Sequence, residues 1–170
     1  MHRVSVRRVI EAPSEDVWAV LEDFGGVASY NPGVLDSGIV AGPETGEGAT
    51  RYCELDEGGR IEEKIVAYEP GEGYEVDFTD TGDFPMAEMR AEMWVESLGD
   101  ERSEVTMAAD YEPKFGPLGW VLAKVMMNSK LKESFEETLE GLDEYVTSNA
   151  ADGESGPAAE GETSVASSAD

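Results

Sequence analysis

A stretch from Gly116 to Val146, GPLGWVLAKVMMNSKLKESFEETLEGLDEYV, is the longest helix-compatible segment of the chain. Its only proline, Pro117, sits where a first helical turn tolerates one. About thirty helical residues reach roughly 45 Å, enough to cross a small domain from end to end. Beyond residue 130, Leu131, Phe135, Leu139, Leu142 and Val146 recur every three or four positions among acidic neighbours, which is an amphipathic face. Before that point Leu118, Trp120, Val121, Leu122, Ala123, Val125, Met126 and Met127 are apolar almost all round, with Lys124 interrupting. A single packing face does not use that much apolar surface. The surplus must meet other protein, a ligand or a membrane, and Asn128 and Ser129 mark where the two halves join.

The chain ahead of this helix is built mostly of strands. Residues 3–10 alternate apolar and basic, and Pro13 breaks the run. Ser14 is placed to cap a short helix carrying Val17, Trp18, Val20, Leu21 and Phe24, which Gly25-Gly26 ends. One more helical turn fits residues 27–32. Strand and turn signals then repeat to residue 112: a short strand at Ile39-Val40, then Thr50 to Leu55, the turn Asp56-Glu57-Gly58-Gly59, Arg60 to Tyr68, and Tyr74 to Phe78. In the next strand Ala87, Met89, Ala91, Met93 and Val95 share a face, and a last strand carries Val105, Met107, Ala109 and Tyr111. From Thr147 the apolar pattern stops, and 147–170 read as a disordered acidic tail behind a domain of 1–146.

Charge excludes several function classes. With 38 acidic residues against 12 basic, the net charge is −26. No basic stripe exists to release counterions from a phosphate backbone, so nucleic acid is excluded, and anionic lipid is disfavoured as a docking surface. No run of about 18 apolar residues is present, so stable membrane insertion is not expected. The basic N-terminus alternates like a strand and not like a signal peptide, and the location expected is cytoplasmic. The single cysteine, Cys53, and single histidine, His2, exclude an internal disulfide and an ordinary zinc site. No metal or other cofactor is expected. The Lys-poor, Glu-, Asp-, Gly- and Ala-rich composition resembles that of cytosolic proteins from salt-loving archaea, where salt screens self-repulsion.

The element order constrains the architecture. Six short-turn strands make an antiparallel sheet, the first strand can join its edge, and only the last helix is long enough to cover the inner face. A curved sheet around a helix leaves space unless large side chains fill it. Here small Ala87, Ala91 and Ala109 stand beside pliable Met89, Met93 and Met107, opposite Met126 and Met127. That pattern fits an adaptable apolar cavity, and it equally fits a closed, Met-rich core.

The order of motifs resembles a known family. VIEAPSEDVWAVLEDFGGVASYNPGV at the start, RIEEKIVAYEPGEGYEVDF in the middle, and EVTMAADYEPKFGPLGWVLAKVM running into LEGLDEYV resemble the polyketide cyclase/dehydrase and lipid-transport family. That family belongs to the START-related, helix-grip superfamily (SRPBCC), with birch-pollen-allergen-like proteins. The resemblance covers residues 3–146. It implies an α+β helix-grip fold: a seven-stranded curved antiparallel sheet wrapped around a long C-terminal helix, with two short helices after the first strand. It implies a cavity far more directly than a reaction.

Strand parity places Ile61, Glu63 and Ile65 on one face, so Glu63 is a candidate cavity carboxylate, an acid or base if desolvated. Val66 and Tyr68 lie on the opposite parity and leave that orientation open. Tyr52, Tyr74, Tyr111 and Trp120 offer an apolar body with a polar tip, and core packing competes for each of them. Val76, Phe78, Met89, Met93, Met107 and Met127 complete the expected lining, with Asn128 either meeting a ligand headgroup or facing solvent. Cys53 reads as a small buried hydrophobe. No convincing acid–base pair is visible. The function expected is therefore binding or transport of a small hydrophobic or lipid-like molecule, the alternative being a cyclase or dehydratase acting on an aromatic or polyketide-like substrate. An interaction protein resembling ribosome-associated members of the superfamily is disfavoured by the missing basic patch.

Overall fold

The computed structural model describes residues 1–114 and 120–154, the side chains of 120–124 and 153–154 excepted. Its elements run β1 (His2–Ile10), α1 (Ser14–Glu22), a 3-10 helix (Phe24–Ser29), β2 (Val34–Ala41), β3 (Thr50–Leu55), β4 (Arg60–Glu69), β5 (Gly73–Asp80), β6 (Met86–Gly99), β7 (Arg102–Pro113) and α2 (Trp120–Glu154). The seven strands form one antiparallel sheet in the order β1-β7-β6-β5-β4-β3-β2. The helix-grip architecture is thus present, with α2 packed chiefly on β1 and β7 and touching α1.

Local chemistry explains the joints. The β3–β4 turn holds Gly58 and Gly59 at φ of 91° and 96°, a region side chains rarely adopt. Register shifts in β2–β3, β4–β5 and β6–β7 curl the sheet. One of them, between Ile65 and Ala67, settles the parity of β4: Ile65 faces Val76 and Tyr68 faces Tyr74, so both approach the core from opposite sequence parities. Another lies between Met86 and Glu88, and it turns Met86 inward and leaves Ala87 exposed, contrary to the uninterrupted alternation expected there. Ser14 is the first residue of α1 and not its cap; Pro13 precedes the helix, and no side chain caps it.

The core runs continuously from Ile10, Val17, Leu21 and Phe24 through Ile65, Val105 and Tyr111 to Phe135, Leu139, Leu142 and Val146. The stripe expected from Leu131 to Val146 is the one α2 buries, Leu131 only in part. The helix does not stop at Val146 but continues through 147–154. Once a helix is nucleated, each added residue gains a hydrogen bond without a new nucleus, so propagation outlasts the apolar pattern. The boundary expected at 146 therefore falls within α2, and of the tail expected over 147–170 the part from 155 on lies outside the described residues.

The sheet's outer face is acidic and held by arginines. Arg3 pairs with Glu92 and with Asp110 at 2.7 Å, and Arg90 with Asp77 at 2.6 Å. On the inward parity of β1, Arg8 ties the sheet to Asp143 of α2 at 2.7 Å. With 12 basic residues in all, most of the 38 carboxylates are left uncompensated. Screening lengths shrink from about 10 Å at 0.1 M salt to about 3 Å at 1 M. The melting temperature is therefore expected to rise by several degrees from dilute buffer to molar KCl, measured by circular dichroism. A flat or falling profile would show that carboxylate repulsion does not limit stability.

Candidate functional site

Where α2 stands away from β3–β6, a cavity of about 130 Å³ opens. Its floor is Ile61, Phe78, Met86, Met89, Met93 and Met107 of the sheet, and Leu131, Ser134, Phe135 and Thr138 of α2 roof it. Val27, Tyr30, Asn31, Gly33 and Val34 close one end, while Thr81 and the partly exposed Phe84 stand at another part of the wall. Thr138 donates to the Ser134 carbonyl at 2.7 Å, so that hydroxyl is satisfied within the helix.

The polar centre of this cavity is an ion pair. Arg51 of β3 lies directly opposite Glu63 of β4, and both side chains point inward, each about nine-tenths buried. Arg51 Nε donates to Glu63 Oε2 at 2.6 Å, and Nη1 donates to the Phe24 carbonyl at 2.9 Å. The guanidinium also lies 4.1 Å over the Phe24 ring, against which Tyr74 packs edge-on at 5.5 Å. Burial works against the Arg51 charge, but Glu63 and the nearby Tyr74 outweigh it and hold the group well above its ordinary value. Burial raises the Tyr30 phenol well above its usual range and also raises that of Tyr74, so both remain proton-bearing. Cys53 donates to Glu63 Oε2 at 3.7 Å, and burial followed by the Glu63 charge pushes its thiol up to about 12. Such a thiol is a small core group and not a nucleophile.

Of the residues expected in the lining, Ile61, Glu63, Phe78, Met89, Met93 and Met107 meet there. Glu63 does face inward. It is not the lone desolvated carboxyl that parity suggested, because Arg51 neutralises it. Ile65, Tyr74 and Val76 are buried in the core beside the cavity without lining it, and Tyr111 is wholly buried directly opposite Met89 on the neighbouring strand. Tyr52 is a correction: it lies on the outer face, its hydroxyl donating to Asp36 at 2.7 Å and its ring under Arg60. Its neighbours Arg51 and Cys53 take the inward parity instead. Asn128 and Ser129 are at the surface, so they face solvent, and Met127 packs at the core's edge outside the lining. Val125 and Met126 are 63% and 59% exposed, which puts part of the surplus apolar surface outside. The Trp120 side chain lies outside the described residues.

Sequence reasoning missed Arg51 as a site residue. Its signal was cross-strand and depended on register: Glu54 pairs with Arg60, which sets Arg51 against Glu63, whereas a turn of four residues over Asp56–Gly59 would have set Arg51 against Lys64. Opposite charges directly opposed on one face attract. A second groove, of about 790 Å³, lies beyond the 30–34 segment, between it and α2. Asp56, Glu137, Glu140 and Glu144 line it, so its wall is acidic where the inner cavity's is apolar.

Sheet, gripped helix and a cavity between them define a helix-grip protein. The model of the family described as polyketide cyclase / dehydrase and lipid transport matches residues 1–147, and the chain belongs to that family. No curated protein matches the sequence. Among solved structures, the Zhui aromatase/cyclase from Streptomyces sp. R1128 is similar with a TM-score of 0.75 at 18% identity, covering 88% of this chain and 95% of that one. A protein from Thermus thermophilus is similar with a TM-score of 0.73 at 20% identity over 88% and 99%. Norcoclaurine synthase from Thalictrum flavum, in complex with dopamine and hydroxybenzaldehyde, is similar with a TM-score of 0.67 at 14% identity over 86% and 87%. At these identities the likeness is one of fold. Among the described residues no helix is long and apolar enough to cross a membrane.

Proposed function

We propose that the protein binds, and carries, a small apolar molecule whose polar head meets Arg51 and Glu63. The observation that carries this reading is a buried ion pair set into the wall of a mostly apolar cavity. A head with one acceptor and one donor, such as a phenol, suits the pair: Arg51 donates to its oxygen, and its O–H donates to Glu63. A carboxylate head suits it less, since it would set a second negative charge beside Glu63 with only Arg51 between them. A cavity of about 130 Å³ is close to the ~150 Å³ apolar cavity that takes one benzene ring. It therefore takes a ring-sized group as it stands, and larger bodies by displacing the methionines.

The second reading is a cyclase or dehydratase acting on an aromatic or polyketide-like substrate. The same pair favours it, because Arg51 could polarise a carbonyl while Glu63 receives a proton. Carriage is preferred because Glu63 is already committed to Arg51 at 2.6 Å and Cys53 is unreactive. The acidic surface belongs to the same proposal: it suits a salt-rich cytoplasm.

Titration calorimetry with 4-ethylphenol in molar KCl tests this. The wild type is expected to bind, and Glu63→Gln to bind about fivefold more weakly, since a neutral acceptor replaces a charged one. Equal affinities would remove the head group from Glu63. Absence of binding would favour a closed core, and consumption of a phenolic probe would favour the enzyme.

A further inference from the structure

Tyr111 is completely buried, yet its hydroxyl has no hydrogen-bond partner among the described residues. A buried, unsatisfied hydroxyl costs stability, and phenylalanine would fill the same space without that cost. The hydroxyl has a use only if something meets it.

Its position suggests what. Tyr111 stands on β7 directly opposite Met89 of β6, so the two share the inward face. Met89 lines the cavity, and Tyr111 is the next side chain outward along the same ladder. On its other side Tyr111 meets His2 of β1, with the rings tilted at a centroid distance of 5.6 Å, which fixes the phenol from that edge. The Arg51–Glu63 pair lies on β3 and β4, across β5 and β6 from Tyr111. Four strand spacings from β3 to β7 make about 19 Å along the sheet, and the straight line is shorter because the sheet curves. Between the two polar points lie Phe78 of β5, opposite Glu63, and Met89 of β6, opposite Tyr111, and both line the cavity. Methionine side chains repack readily, so Met89 can swing from the path where a β-branched residue could not.

We propose that the Tyr111 hydroxyl is a second polar contact for the ligand, reached when Met89 moves aside. It donates to an oxygen at the far end of an elongated, apolar-bodied molecule whose head sits at Arg51 and Glu63. This rests on the cavity reading given above and narrows it to ligands with an oxygen at each end. Burial raises the Tyr111 phenol, which keeps it a proton donor.

Matched probes test it on the full chain in molar KCl: 4-hexylphenol and 4-(6-hydroxyhexyl)phenol, measured by calorimetry with wild type and Tyr111→Phe. In the wild type the hydroxylated probe is expected to bind at least as tightly as the alkyl one, despite its more polar tail. Tyr111→Phe is expected to weaken the hydroxylated probe about fivefold, the scale of one hydrogen bond, and to leave 4-hexylphenol unchanged. The melting temperature of the ligand-free variant should equal or exceed that of wild type. Equal losses for both probes, no loss for either, or a lowered melting temperature would each overturn the proposal. If 4-ethylphenol binds and neither six-carbon probe does, the cavity reading stands and the extension past Met89 falls. If no probe binds, both fall together.

Discussion

Arg51→Met is expected to lower stability by about 3–5 kcal/mol, the scale on which breaking one side of a buried ion pair leaves a charge uncompensated. For a domain of this size that corresponds to a melting temperature lower by roughly 10 °C. Glu63 would keep only the weak Cys53 S–H at 3.7 Å from the described hydrogen bonds to its carboxylate. The Phe24 carbonyl would lose its donor at 2.9 Å, and the Phe24 ring its cationic cover. The double variant Arg51→Met/Glu63→Leu separates these losses. Replacing both members by apolar groups of similar size is often neutral or better, so most of the stability should return. Urea unfolding in molar KCl measures all three proteins. If the double variant is as unstable as the single one, Arg51 matters through its tie to the 3-10 helix and not through Glu63. In either case the double variant should no longer distinguish a phenol from its deoxy analogue, because the pair proposed to read the head is gone.

The reach of sequence reasoning here follows from which forces are local. Alternation in β5 and β7, the Gly58-Gly59 turn and the 131–146 stripe are written in neighbouring residues, and each appears where its pattern placed it. Bulges are not local in that sense. The shifts at Ile65/Ala67 and Met86/Glu88 change which side chains face inward without any residue type announcing them. That is why Tyr68 reaches the core and Ala87 does not. Tyr52 departs from its expected place for a different reason. An aromatic between Arg51 and Cys53 looks like the inward residue, and only the partner strand, by offering Glu63, offsets the cost of burying the arginine. Single-residue hydropathy ranks Arg51 last among core candidates, whereas the energetics concern the pair. The apolar first half of α2 is legible as surplus. Its exposed Val125 and Met126 show that the surplus is not all used inside the domain.

Gly141→Ala is expected to destabilise the protein by about 2 kcal/mol and to weaken ligand binding, although the glycine touches no ligand. Alanine would ordinarily improve a helix interior by up to about 1 kcal/mol. Here a Cβ at residue 141 would stand 2.0 Å from the Tyr30 carbonyl oxygen, with the Pro32 ring 3.4 Å away. Neither is the flexible end of a side chain, so α2 and the 30–32 segment would have to separate, an overpacking cost at the upper part of the usual ~1–3 kcal/mol range or beyond it. That segment is shared by both cavities: Tyr30, Asn31, Gly33 and Val34 close the inner one and also line the outer groove. Displacing it widens the apolar space at the end where Phe24, Tyr30 and Arg51 converge. Calorimetry with 4-ethylphenol should then show weaker binding together with the lower melting temperature. Gly46→Ala, whose Cβ meets nothing within 4 Å, should change stability only through its backbone at φ 90° and leave affinity intact. Unchanged stability in Gly141→Ala would mean that the close approach of α2 to Tyr30 is not what sets this wall of the cavity.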